Sequence, residues 1–139
     1  MARIEDITMN ILVADSSQVY NHDDWQTKLN IPFRDTGNGI KDNKVSSLNR
    51  AVDMDALWTY RTAVGMRTRC ILRTLQPQDF IQEVDPLRIQ NIYDQGSMRE
   101  NARGITEYWS RRTIAGLLLM PPTRHNFIHL NEAKWVKKR

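Results

Sequence analysis

The chain has 139 residues, 40% of them hydrophobic and 26% charged, with 6 Gly, 5 Pro and one cysteine. This is the composition of a single soluble globular domain, long enough to bury about two thirds of its unfolded surface without a disulfide or a structural metal. Cys70 has no partner for an internal disulfide, and thiol-rich zinc motifs need more cysteines than the chain holds, so a disulfide scaffold and a zinc finger are both excluded. The longest strongly apolar stretch, Ile114 to Met120, is far short of the ~20 residues that cross a bilayer. Charges at Arg3, Glu5 and Asp6 stand where a signal sequence would be apolar, so the expectation is a cytoplasmic, reduced protein with no membrane partner.

The formal net charge of +4 resides in one place. Residues 124–139 contain Arg124, Lys134, Lys137, Lys138 and Arg139 against Glu132, and the remainder is neutral. A surface for nucleic acid normally spreads its cations over a face, often between aromatics, whereas a short basic tail suits the negative end of a terminal helix dipole. Nucleic acid is therefore an unlikely partner.

In chain order, Ile4 to Leu29 contains neither Pro nor Gly, and its apolar residues mostly recur at three-four spacing, which predicts one long helix. On that stripe Asp15, Gln18 and His22 occupy positions where apolar side chains are expected, a pattern that marks either a site or an imperfect stripe. Residues 30–44 hold Pro32, Gly37 and Gly39 and read as a long loop, whose Gly-Asn-Gly turn lacks the spacing and lysine of a phosphate loop. A second long helix, capped by Asp53 or Asp55, runs to Leu75, where Gln76-Pro77 ends it. Cys70 lies on it among Arg67, Arg69 and Arg73 and reads as a small buried hydrophobe, not as a nucleophile. Asp85-Pro86 starts another helix, with Gly96 as its stop. Met98, Ala102, Ile105 and Trp109 suggest the next helix. Thr113 caps the last, in which Pro121-Pro122 must cause a break or a kink. No strand runs or repeats are found, and the fold class is all-α, an up-and-down helical bundle over residues 1–139.

One cluster carries chemistry. His125 and His129 are four apart, so on a helix both imidazoles can point to one divalent metal, with Glu132 a step further along the same face. The stripe Leu118, Pro122, His125, His129, Glu132, Val136 is the one expected to look into the bundle, where helical proteins build metal centres. Asn126 follows His125, so the HExxH signature of zinc peptidases is absent.

Three segments, TIAGLLLMPPTRHNFIHLNEA, LNIPFRDTGNGI and VDMDALWTYRTAVGMRTRCILRTL, resemble DinB-like proteins over about residues 12 to 137. That four-helix-bundle superfamily also contains the YfiT-like metal-dependent hydrolases and thiol-dependent transferases. The resemblance implies a zinc or nickel ion held by three histidines, two of them an HxxxH pair on which His125 and His129 fall. It places the first ligand near Ile11 or Leu12, beside Val13 to Ser16, or at Ser17 if Asp23-Asp24-Trp25 is aligned instead. None of these is a histidine, which leaves His22 as the one remaining imidazole for a third ligand.

The resemblance also implies a helix ahead of the ligand-bearing one that this sequence does not show, so the expectation is either a truncated or degenerate member or a homodimer in which a second copy fills the place. Trp25, Trp58 and Trp109 are candidates for that face, each equally a candidate for the core. Two function classes follow. One is an enzyme, a metal-dependent hydrolase or a transferase taking a low-molecular-weight thiol, with Glu132 as general base or as orienter of a ligand. The other is a non-catalytic, degenerate bundle acting as a binding or stress-response module.

Overall fold

The computed structural model describes residues 1–137, so Lys138 and Arg139 of the basic tail lie outside the described residues. Among those described there is no strand, and the class is all-α as the sequence predicts. Helix α1 (Ala2–Ile7) runs directly into a π-helical segment, Thr8–Val13. Together they form the centre of the protein. Every residue of the π segment is buried, and Ile7, Ile11 and Leu12 are wholly inaccessible to solvent. Around this axis pack α4 (Met54–Thr74), α5 (Pro86–Asp94) and α7 (Ile114–Leu118), which contribute Ile71, Ile92 and Leu117 to the main core.

The long first helix expected over Ile4 to Leu29 stops at Val13. Beyond it the chain makes a 3-10 turn at Val19–Asn21 and a single helical turn, α2 (Trp25–Lys28), with Asp15, Asp23 and Asp24 all at positive φ. The cause is Asp6. Its fully buried carboxylate accepts the backbone N–H groups of Val19 (2.8 Å) and Tyr20 (2.9 Å), drawing the segment back against α1 and offering the backbone an alternative to helix. Asn10 Nδ2 (2.8 Å) and the Tyr60 hydroxyl (2.6 Å) donate to the same carboxylate, which ties α1 to α4. Tyr60, Trp25 and Tyr20 then pack ring against ring in a second small core.

The polar residues of the expected stripe separate accordingly. Gln18 is fully buried, donates to Gln95 Oε1 (2.8 Å) and Ser97 Oγ (2.7 Å), and accepts from Arg3 Nη1 (2.7 Å), so its role is to fasten the turn to the end of α5. Asp15 is exposed beside Arg88, and His22 is exposed.

Local signals hold elsewhere, except that Cys70, expected as a buried hydrophobe, is exposed on α4. Asp53 caps α4 through Ala56 N–H (2.8 Å), Asp85 caps α5 through Leu87 N–H (2.8 Å) with Pro86 in the first turn, and Gly96 leaves α5 at φ +62. The predicted loop 30–44 contains Gly37 and Gly39 at positive φ, but its last residues already belong to α3 (Asp42–Ala51). Helix α6 (Arg103–Ser110) carries Trp109 into the main core. Thr113 caps α7. The two prolines widen the final helix instead of breaking it: Met120–His125 forms a second π segment that continues into α8 (Asn126–Val136). Wide turns absorb the donors that proline lacks, and Thr123 and Asn126 side chains bond the freed carbonyls of Leu118 and Pro122.

Of the three tryptophans considered for a dimer face, Trp25 and Trp109 are core residues and Trp58 is 74% exposed. No described helix is long and apolar enough to cross a membrane.

Candidate functional site

The second π segment and the first turn of α8 put His125 and His129 on the least exposed face of the final helix. Their rings meet edge to face with centroids 4.5 Å apart, and the two Nε2 atoms are 3.0 Å apart. On its far side His129 Nδ1 lies 2.7 Å from Glu132 Oε2. The stripe predicted to look into the bundle does so only in part: Leu118, Pro122, His125 and His129 are half-buried, whereas Glu132 and Val136 are exposed, because no described element covers the outer end of α8.

The helix is attached beside the pair. Asn126 Nδ2 donates to the buried Glu5 carboxylate (2.8 Å), which also binds Arg61 (3.0 Å) and the Thr68 hydroxyl (2.9 Å). Glu5 thus joins α1, α4 and α8 at one point. His125 forms part of the wall of a pocket of about 300 Å³, whose lining includes Ile4, Ile105, Tyr108, Trp109, Met120 and Pro121 together with Asn38. Its wall is mainly apolar, and His125 brings a titratable nitrogen to it.

Burial lowers the pKa of His125, and the neighbouring His129 and the α-amino group of Met1 add to the effect, while Glu132 opposes it. A neutral His125 is thus favoured in the folded state. The unfolded chain takes up a proton near the ordinary value of about 6.5, whereas the folded protein resists it to lower pH. Folding stability from this group is therefore present above pH ~6.5 and falls away as the pH drops from there to the lowered value. Urea midpoints at pH 7.5 and 5.5 should move apart in the wild type and less so in His125→Phe.

The histidine arrangement meets the requirement for metal ligation only partly. Two nitrogens on one tetrahedral zinc, at bond lengths of about 2.0–2.1 Å, stand roughly 3.3 Å apart, so a 3.0 Å separation is close to that of neighbouring ligands. A third donor is missing. His22 is exposed at the end of the Val19–Asn21 turn, Ile11 and Leu12 are core aliphatics, Ser17 is exposed, and Glu132 is engaged by the other nitrogen of His129. Among the described residues no three His, Cys, Asp or Glu side chains are placed to hold one ion. The residues present therefore do not compose the three-donor centre that the resemblance implies.

Sequence spacing identifies His125, His129 and Glu132, but not the pocket. Its walls come from α1, the loop before α3, α6 and the π segment, and no local pattern connects Asn38 or Tyr108 with His125. No family model matches the chain, and neither a curated protein nor a solved structure matches it.

Proposed function

We propose that the chain is a degenerate DinB-like bundle that binds a small, largely apolar molecule beside its paired histidines. The observation that carries this reading is the apolar pocket of about 300 Å³ with His125 in its wall, joined to a histidine pair that lacks a third metal donor. Pockets that recognise small molecules are typically apolar with a few placed polar groups, of this size and above. A second reading, a zinc- or nickel-dependent hydrolase or thiol transferase, is favoured by the convergence of the two Nε2 atoms.

Metal analysis of untagged protein separates the two. About one tightly held divalent ion per chain, reduced in His22→Ala, would favour the enzyme and overturn the binding-module reading; the same negligible content in both proteins is the expected result.

We further propose self-association through α8 and the outer face of α4. Phe127, Leu130, Trp135 and Val136 on α8 and Trp58 on α4 are all more than half exposed. Five large apolar side chains left open to water on these two helices are what a partner surface would cover. A dimeric mass by light scattering at micromolar concentration is expected, shifting towards monomer in Trp58→Glu/Trp135→Glu.

A further inference from the structure

Of the six glycines, Gly37, Gly39 and Gly96 stand at positive φ, and a Cβ at Gly65 or Gly116 would lie 3.5 Å from atoms of Arg61 or Arg112. Gly104 has neither feature. Its φ is not positive, and a Cβ added there would meet nothing within 4 Å. It lies in the first turn of α6, where almost any residue but proline would favour the helix more. Neither backbone nor packing therefore requires a glycine at this position. Gly104 does line the pocket beside His125, on the same face of α6 as Ile105, Tyr108 and Trp109. The lining divides by burial: Ile4, Trp109 and Pro121 are buried, whereas Gly104 and Tyr108 are exposed. The pocket thus reaches solvent along the edge of α6 that bears Gly104 and Tyr108.

We infer that Gly104 is the opening of this pocket, and that the ligand is an elongated amphiphile whose apolar end sits against Ile4 and Trp109 while its polar end leaves over Gly104 into water. This rests on the pocket being the binding site and adds the shape and class of what it takes. The wall is mainly apolar, and Asn38, one of its few polar members, already donates its amide to Thr36 Oγ1 (2.9 Å), so a polar end is better solvated outside. A side chain at 104 would stand in the passage. Gly104 determines specificity through the side chain it lacks, and the helix stability forgone there keeps the way open.

Two ethers of 2-naphthol test the inference on the full chain: the methyl ether, which the pocket can enclose, and the tri(ethylene glycol) ether, whose polar tail reaches beyond it. The wild type should bind the two within about three-fold of each other, because the tail passes over Gly104 to water. Gly104→Leu should weaken the long ether about ten-fold more than the methyl ether. Its urea midpoint should equal or exceed that of the wild type, since leucine favours a helix and meets open space at this position. A glycine needed only for the fold would show the reverse, a lower midpoint with both ethers affected alike. A wild type that binds the methyl ether but not the long one overturns the inference and leaves the apolar pocket in place. Equal effects of Gly104→Leu on the two ethers, or a midpoint below that of the wild type, overturn Gly104 as the opening. Failure of both ethers to bind the wild type overturns the pocket as well.

Discussion

Asp6→Ala is expected to cost about 3–5 kcal/mol, enough to remove much of the stability of a domain of this size. The carboxylate is fully buried and serves four donors: the backbone of Val19 and Tyr20, the Asn10 amide and the Tyr60 hydroxyl. Arg3 adds a partial ion pair at 3.3 Å. Alanine leaves the two backbone N–H groups and the Tyr60 hydroxyl without this acceptor in a site water does not reach, while Asn10 keeps its bond to the backbone carbonyl of residue 6, and each buried polar group so stranded costs about 1–3 kcal/mol before relaxation. Tyr60→Phe removes one donor and leaves the acceptor satisfied, so its loss should be much smaller, about 1 kcal/mol. Urea denaturation of the two variants measures the difference. Near-equal losses would show that the carboxylate is not the centre of the network.

Trp109→Ala is the other large effect, expected at about 3–5 kcal/mol from lost burial and the cavity left behind. Trp109 is 3% exposed and belongs to both the main core and the wall of the pocket beside His125. Its removal should therefore also widen the pocket, so that an apolar probe gains room but loses its aromatic wall. Denaturation gives the stability term, and titration with 2-naphthol should show weaker binding than in the wild type.

The parts of the fold legible in the sequence are those decided within a few residues. Asp53, Asp85 and Thr113 cap their helices because a short side chain reaches amides two or three residues ahead, and that geometry is local. The break after Val13 is not local. It depends on the Asp6 carboxylate meeting Val19 and Tyr20, 13 and 14 positions along, and nothing in the apolar spacing from Ile4 to Leu29 announces that a polar side chain outcompetes the helix there. Gln18 is misleading for the same reason, since it occupies a stripe position of a helix that does not form and is buried by contacts to Gln95 and Ser97. Of the candidate site, the pair His125 and His129 and its link to Glu132 follow from helical periodicity. His22 does not join them, because it follows the Val19–Asn21 turn at an exposed position.

The widened segment Met120–His125 makes the number of residues there as critical as their kind. Each residue added to or taken from a helix rotates everything beyond it by about 100°. A one-residue deletion ahead of His125 would turn α8 by more than a quarter of a revolution about its axis, swinging His129 out of its present direction while leaving every side chain of the site in the sequence. Spacing to the prolines is thus a phase setting for the last helix, and two chains with the same histidines, glutamate and core would differ in whether the histidine pair borders the pocket and Asn126 reaches Glu5.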